Sequence, residues 1–322
     1  MMRLLVLVPN MSPHQRGELR DRLTAGFPEL EVTLVARIED ATAPIASAEI
    51  LMAYNIPDHL AAQAVNLRWI QSLASGTDGF LSRPSLSRRP MITRMQNVAA
   101  TPVSESVLAS MLALGRQLPA LMRAQANGHW DRELPEHTQV WAGKTAGLLG
   151  VGQIAEALAP KLKALGMRVV GLSGRTNVAG FDLIRPQREL AVAVADFDVL
   201  IVLVPLRAET RQVIGAAVLA AMKSSAFLIN VSRGALVDEA ALINALATGK
   251  IAGAALDVFA IEPLPADSAL WSLPNVIVTP HAAAAHTRYI DDIFPLLETN
   301  LRRYLAGDRE NMINVVRRGG DG

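Results

Sequence analysis

The sequence predicts an α/β protein built on doubly wound parallel sheets, and three observations predict it. Short apolar runs of strand length alternate with helical stretches along most of the chain. One of those runs leads straight into a glycine-rich turn and a helix start. The chain has 322 residues, enough for two domains of ordinary size.

Leu4–Val8 reads as the first strand and Arg16–Ala25 as a helix. Glu31–Val35, Glu49–Ala53 and Trp69–Leu73 are further strands, with Asp58–Val65 helical between the last two. After the Trp69 strand comes Ala74-Ser75-Gly76-Thr77-Asp78. Small residues there bare backbone N–H groups at the carboxyl end of a strand, where open α/β sheets bind ligands; an ordinary turn would read the same way. Ala99-Ala100-Thr101-Pro102 breaks the alternation. Val103 to Ala126 is then amphipathic, with Val107, Met111, Leu114 and Leu118 in register, and Pro119 predicts a kink or an interruption. Gly128 to Trp141 is irregular and holds Trp130 and Trp141. It fits an arm packed on a partner subunit as well as a long loop.

Lys144–Thr176 organises the rest. Thr145–Leu149 is a buried strand, Gly150-Val151-Gly152-Gln153-Ile154-Ala155 fits G-x-G-x-x-G/A, and Ile154, Leu158, Leu162 and Leu165 follow at helical spacing. Gly166 ends that helix and Arg168–Leu172 is the next strand. Strand, glycine turn, helix and strand within about thirty residues form the dinucleotide-binding unit. Gly150 allows the tight turn, Gly152 lets backbone approach a pyrophosphate, and Ala155 lets helix and strand pack closely. N–H groups near Gln153 and Ile154 then face the phosphates. An NAD site usually places an acid at the end of the second strand, about 20 residues on, for the ribose 2′-hydroxyl. Here that turn reads Ser173-Gly174-Arg175-Thr176, with no acid. A hydroxyl and a guanidinium suit a 2′-phosphate, so NADPH is expected over NADH; a solvated Arg175 with loose cofactor preference is the competing reading.

The alternation then resumes. Arg188–Val194 is helical, Asp198–Val204 a strand ending in Pro205-Leu206, and Ala216–Met222 helical. Ala226–Val231 is a strand ending at Ser232-Arg233-Gly234, Glu239–Thr248 a helix, and Ala252–Leu256 a strand ending at Asp257. Val276–Thr279 is the last strand, ending at Pro280-His281, and residues 285–306 return to helix.

Composition removes several function classes. Net charge is +1, so no strong field draws the chain to nucleic acid or a membrane surface. Cysteine is absent, which excludes disulfides and thiolate chemistry and fits a cytoplasmic location. Met1 to Pro9 is too short for the apolar core of a signal peptide. No uncharged apolar run reaches the roughly 18 residues of a membrane span. No metal is expected.

Three polar residues after strands carry the candidate chemistry. Arg233 lies in Asn-Val-Ser-Arg-Gly, Glu262 in Asp-Val-Phe-Ala-Ile-Glu-Pro, and His281 in Thr-Pro-His. A hydride acceptor needs a group that holds and polarises its carbonyl and another that donates a proton. Arg233 can fork to a carboxylate, and His281 can protonate the oxygen because its pKa lies near neutrality. Glu262 is the carboxylate expected to keep that imidazole charged. Singly, each could be structural; all three follow strands of one predicted sheet. His14, His59, His129, His137 and His286 lack such a context.

With these segments in place, the chain resembles the D-2-hydroxyacid dehydrogenase family, the D-isomer-specific NAD(P)-dependent oxidoreductases. The matching segments, in order, are Ala74 to Asp78, Pro102 to Glu105, Gly150 to Ala155, Val204 to Leu206 with Glu209-Thr210, Ile229 to Gly234, Leu256 through Pro263, and Val278 to His281. The resemblance implies two Rossmann-like domains, a dinucleotide-binding domain over 100–284 inserted into a substrate domain formed by 1–99 and 285–322. It also implies an active-site cleft between them and a homodimer through the cofactor domains. It gives Arg233, Glu262 and His281 the roles above, places Asp257 on the nicotinamide carboxamide, and makes the Ser75–Gly76 backbone the cradle of the substrate carboxylate. Val204, Pro205, Thr210, Val231 and Ser232 join the cofactor wall. The Ser173-Gly174-Arg175 turn looks like that of the glyoxylate/hydroxypyruvate reductase branch, which prefers NADPH. The chain leaves no room for the C-terminal regulatory domain of many phosphoglycerate dehydrogenases, and its N-terminal part looks too short for formate dehydrogenase. Ala155 replaces the commoner third glycine. Ala282–Ala285 stands where the family often has Gly or Ser, and that bears on substrate fit.

The expectation is therefore an NADPH-preferring reductase of small 2-ketoacids such as glyoxylate or hydroxypyruvate, with NADH possible. The rival class is a dinucleotide-sensing corepressor on the same fold, against which the intact Arg, Glu and His speak. A third reading is a dehydrogenase of a larger or phosphorylated acid, for which the nearby Arg83, Arg88, Arg89 and Arg94 offer a basic stretch that reads equally as a solvated loop.

Overall fold

The structure, a computed structural model, describes residues 1–86 and 90–319. It divides into two compact units: Met1–Val98 with the described part of His286–Gly322, and Ala99–Ala285. In chain order the strands are β1 (Met2–Leu7), β2 (Leu30–Val35), β3 (Ile50–Ala53), β4 (Trp69–Ser72), β5 (Met91–Thr93), β6 (Thr145–Leu149), β7 (Arg168–Leu172), β8 (Leu183–Arg185), β9 (Val199–Val202), β10 (Phe227–Asn230), β11 (Gly253–Leu256), β12 (Val276–Val278) and β13 (Val315–Arg317).

The first unit is a six-stranded sheet in the order β13-β5-β4-β3-β1-β2. Its β1 to β5 pair in parallel, and β13 closes the edge antiparallel to β5. Successive residues of a strand face opposite sides. Leu4 and Val6 thus meet Leu19 and Leu23 of the helix Pro13–Gly26, and Ile290, Ile293, Leu297 and Leu301 of the helix Tyr289–Leu305. Leu5 and Leu7 meet Ile45, Leu60 and Phe80 on the other side. Both faces are covered, which is why these strands read as continuous apolar runs. Inside the sheet, Trp69 Nε1 donates to Thr93 Oγ1 (2.9 Å) and Thr93 Oγ1 donates to Gln71 Oε1 (2.7 Å). Buried Asn300 then ties the long helix to this pair, donating to Gln71 Oε1 (3.1 Å) and accepting the Ile313 N–H (2.7 Å).

The second unit has seven strands in the order β12-β11-β10-β9-β6-β7-β8. All pairs are parallel. The chain winds outward from β6 through β7 to β8, then returns to β9 on the other side, so the direction of winding reverses between β6 and β9. One face packs Ala146, Leu148, Val199 and Ile201 against Val107 and Met111 of the helix Ala100–Gly115 and Leu158 and Leu162 of the helix Gln153–Ala164. The other packs Leu149, Leu200 and Val202 against Val218, Leu219, Leu242 and Leu246.

Several local expectations change. The predicted helix over 103–126 is two helices, Ala100–Gly115 and Leu118–Ala126, separated at Gln117, whose φ is +57°. Of the kink or interruption expected from Pro119, the structure has the interruption, and Pro119 opens the second helix because a first turn needs no N–H there. The helix at Asp58 ends at Ala61, and Arg188–Val194 holds only the short helix Leu190–Ala193 flanked by 3-10 turns. Trp141 is buried against Phe227, ring centroids 5.9 Å apart, in its own unit's core, whereas Trp130 is 84% exposed. Arg83 donates to the Ile56 carbonyl and Arg94 to that of Ser75; Arg88 and Arg89 lie outside the described residues.

Candidate active site

Gly150 ends β6 at the point where the winding reverses, and its φ is +101°. A Cβ there would lie 2.9 Å from the Leu203 carbonyl carbon and the Val204 nitrogen, so glycine alone lets the turn pass the end of β9. Gly152 caps the helix Gln153–Ala164 with no side chain, and a Cβ built on it would have no atom within 4 Å. The first helical N–H groups, at Gln153 and Ile154, therefore border open space without a capping side chain. Ala155 is fully buried beneath them. This cradle fits a dinucleotide pyrophosphate at a helix N-terminus.

The turn after β7 holds itself. Ser173 Oγ accepts the Arg175 N–H (3.0 Å), and Gly174 and Thr176 are exposed. Arg175 reaches back over the glycine turn: its Nη1 donates to the Val151 carbonyl (3.1 Å) and is ion-paired with Glu156. After β9, Val204 is buried and Pro205 exposed. The Thr210 hydroxyl is engaged within that loop, donating to the Pro205 carbonyl and accepting the Arg207 N–H, both at 2.8 Å. Val231 and Ser232 follow β10, and Ser232 Oγ donates to the Val204 carbonyl (2.6 Å), joining the two loops.

Arg233 sits in the same turn, its Nη1 donating to the Ser232 carbonyl (2.6 Å). Buried Asn230 shapes the turn, accepting the Ser232 N–H (3.1 Å) and donating to the Arg233 carbonyl (3.0 Å). A Cβ on Gly234 would lie 1.9 Å from the Phe259 carbonyl carbon and 2.5 Å from the Ala260 nitrogen. The turn bearing Arg233 thus rests directly on the loop bearing Glu262. Glu239 Oε2 accepts the Ala260 N–H (3.1 Å), and Glu262 Oε1 accepts that of Phe259 (3.1 Å). The other Glu262 oxygen lies 2.8 Å from His281 Nδ1.

His281 follows β12 in the left-handed region, at φ +52°, a conformation that disfavours a side chain by about 1 kcal/mol or more. Asp257 holds it there. Its backbone carbonyl accepts the His281 N–H (2.8 Å). Its buried carboxylate accepts the Thr279 hydroxyl and the Ala282 and Ala283 N–H groups, the last two at 2.9 Å. A carboxylate offers about four acceptor positions, and three here close the turn. The sequence expectation for Asp257 concerned the cofactor alone and missed this clamp, as it missed Asn230 and Glu239. The contacts of Asp257 and Glu239 join side chains to residues more than twenty positions away, those of Asn230 stay within its own turn, and none leaves a periodic mark in the chain.

The hydrogen bond with Glu262 is the main reason the His281 pKa lies above the ordinary histidine value; burial and the Arg233 charge oppose it, while the charges of Glu262 and Asp257 add to it. For Glu262, burial is the largest influence and pushes upward. The His281 and Phe259 hydrogen bonds and the charges of His281 and Arg233 outweigh it, and the pKa falls below the usual carboxylate range. The geometry thus favours imidazolium beside carboxylate over a wider pH range than either group alone would, with Arg233 close enough for both to feel its charge.

Ser75 and Gly76 lie in the first unit, after β4. Ser72 Oγ donates to the Gly76 carbonyl (3.1 Å) and Arg94 to that of Ser75 (3.3 Å). Among the described residues no hydrogen bond engages the Ser75 or Gly76 N–H. Among those residues, too, no group of His, Asp and Glu could hold a metal ion, and no helix is long and apolar enough to cross a membrane.

A glycine cradle at the reversal of a parallel sheet, followed along the same sheet by Arg233, Glu262 and His281, defines a dinucleotide-binding α/β protein equipped with an acid–base pair. The chain belongs to the D-isomer specific 2-hydroxyacid dehydrogenase family, whose NAD binding domain profile matches residues 108–283. It is accordingly an NAD(P)-dependent oxidoreductase of 2-hydroxyacids and their 2-keto counterparts. It is 34% identical over 293 residues to a glycerate dehydrogenase of Methylorubrum extorquens, covering 86% of this chain and 89% of that one. It is 33% identical over 307 residues to glyoxylate/hydroxypyruvate reductase B of Pectobacterium carotovorum, covering 92% and 94%. It is 31% identical over 296 residues to D-3-phosphoglycerate dehydrogenase of Methanocaldococcus jannaschii, covering 89% of this chain but only 56% of that longer relative. Among solved structures it is similar to an NADPH-dependent glyoxylate/hydroxypyruvate reductase of Sinorhizobium meliloti in complex with NADP and sulfate. That match has a TM-score of 0.81 and 27% identity and covers 99% of both chains.

Proposed function

We propose that the protein is an NADPH-preferring reductase of small 2-ketoacids, of the glyoxylate or hydroxypyruvate kind, acting as a cytoplasmic homodimer and yielding D-2-hydroxyacids. The observation that carries this reading is the 2.8 Å contact of Glu262 with His281 Nδ1, next to Arg233 and on the sheet that bears the glycine cradle. Reductases of those two acids are among the relatives and structural neighbours named above.

Bound at the cradle, the dinucleotide supplies hydride to the carbonyl carbon. Arg233 forks to the substrate carboxylate and leans on the neighbouring carbonyl oxygen. His281 holds its transferable proton on Nε2, because Nδ1 faces Glu262, and gives it to that oxygen as the carbonyl is reduced. Glu262 keeps the ring charged and fixed in orientation. The Ser75 and Gly76 N–H groups take the carboxylate of the acid, and Asp257 takes the nicotinamide carboxamide while clamping the His281 turn. Arg175 and Ser173 take the 2′-phosphate. The absence of an acid in Ser173–Thr176 and the NADP in the S. meliloti structure support that choice of cofactor.

The test is a matrix of initial rates, glyoxylate and hydroxypyruvate each with NADPH and NADH at matched concentrations. Fast NADPH oxidation is the expected result. Fast NADH oxidation alone would keep the reductase and discard the phosphate role of Arg175. Tight dinucleotide binding with no turnover across a broad panel of ketoacids would replace the enzyme by a dinucleotide sensor.

A further inference from the structure

The turn after β7 contains no acid, yet a carboxylate reaches it from elsewhere. Glu156, in the first turn of the helix Gln153–Ala164, forms the ion pair with Arg175 Nη1, and the Val151 carbonyl accepts from the same nitrogen at 3.1 Å. Both side chains of the pair are open to water, Arg175 at 55% and Glu156 at 41%. A guanidinium has five N–H donors in a rigid fork. Among the described residues only Nη1 makes side-chain hydrogen bonds, and Nε and Nη2 make none. The side chain is thus anchored across the glycine turn by one nitrogen, with the rest of its fork able to take an anion. Glu156 also stands two residues beyond Ile154, at the helix start that fits the pyrophosphate.

We propose that Glu156 is a specificity-determining residue that limits discrimination in favour of the 2′-phosphorylated dinucleotide. This rests on the reading of Arg175 as the 2′-phosphate ligand. A phosphate on the free side of the Arg175 fork lies within one guanidinium's width of the Glu156 carboxylate, and the two negative groups repel. An unphosphorylated ribose has no charge for Glu156 to act on. Arg175 therefore contributes selectivity for NADPH, and Glu156 withdraws part of it by neutralising the same cation. In solvent-exposed surroundings such a charge contact changes affinity by about three- to ten-fold, and less at high salt.

The experiment measures dissociation constants of NADPH and NADH by calorimetry for wild type, Glu156→Gln and Arg175→Ala, at low and high ionic strength, after circular dichroism has shown each variant folded. Expected for Glu156→Gln is NADPH binding about three- to ten-fold tighter, with NADH changed by less than about two-fold, and a gain that shrinks in salt. Expected for Arg175→Ala is a selective loss of NADPH. A selective loss in Arg175→Ala with no gain, or a loss, in Glu156→Gln overturns the role of Glu156 and leaves the cofactor reading standing. Parallel loss of both dinucleotides in Arg175→Ala overturns the phosphate reading itself and the inference with it.

Discussion

The two sheets are wound by the same rule and covered on both faces, yet they keep their polar residues in different places. In the sheet of β6 to β12 those residues crowd the carboxyl ends of the strands: Arg233 after β10, Asp257 after β11, His281 after β12. In the sheet of β1 to β5 the end of β4 carries the small residues Ala74, Ser75 and Gly76. The buried polar side chains Gln71, Thr93 and Asn300 lie within the strands or on the covering helix, each satisfied by another. Satisfied groups inside a sheet fix its packing. Groups at strand ends are held by one side and present the other outward. On this difference Gln71, Thr93 and Asn300 hold the packing of the first sheet, while Arg233 and His281 stand where the proposed chemistry would take place.

The contrast is broken or sharpened by five measurements. The largest effect is expected for His281→Ala, which should lower turnover by about a hundred- to ten-thousand-fold while dinucleotide affinity stays near wild type. Equal loss of both would return His281 to a structural role. Arg233→Ala should cost about a hundred-fold in kcat/KM, through a lost charge-assisted contact to the acid; wild-type kinetics would remove Arg233 from the substrate site.

Gly234→Ala tests whether the two loops must touch. Its Cβ would fall 1.9 Å from the Phe259 carbonyl carbon, so one loop must give way. A stability loss of about 1–3 kcal/mol is expected, together with a kcat defect larger than the KM defect. A variant with an unchanged melting temperature and unchanged kcat would show the approach to be incidental.

Glu262→Gln is read through pH. In the proposed reaction carbonyl reduction needs protonated His281, so the rate should fall as pH rises through the raised histidine pKa. Removing the carboxylate, the chief cause of that elevation, should move the alkaline limb down toward the usual value near about 6.5. A limb that stays in place would detach Glu262 from the imidazole. The same pair links stability to pH. The His281 contribution is complete below its ordinary value and is lost as pH rises through the raised one. The Glu262 contribution is present above the ordinary carboxylate value and is lost as pH falls through the lowered one. The smallest kinetic effect is expected for Asn300→Ala. It should lower stability by about 2–3 kcal/mol by leaving buried partners unpaired, yet leave kcat at low temperature unchanged. A kcat defect in the folded variant would erase the division of labour between the two sheets.

The pattern of residues foretells most of the second sheet and less of the first. Buried parallel strands announce themselves as apolar runs with a turn residue close behind, and β6 with Gly150, β9 with Pro205 and β11 with Asp257 do so. The three-residue strands β5, β8 and β13 are too short to show a period, and β13 pairs with a strand more than two hundred residues earlier. Pro119 warns of an interruption in the 103–126 stretch, but nothing places it at Gln117, because glutamine seldom adopts φ +57°. Arg233, Glu262 and His281 stand out as charged residues after strands. That Glu262 faces Nδ1 of His281 depends on how Gly234 and Glu239 seat the Phe259–Glu262 loop, which no spacing reveals.

Asp257 carries a consequence for the Ala282–Ala285 run. Glycines in such a stretch would leave its backbone many conformations to sample, whereas here two of the alanine N–H groups are tied to a buried carboxylate. The entropy of ordering this turn is then lost when the chain folds rather than when cofactor or acid arrives. The imidazole of His281 is thus carried on a turn already held by hydrogen bonds before any ligand binds. Alanine, with fewer unfolded conformations than glycine, lowers the cost of stopping it.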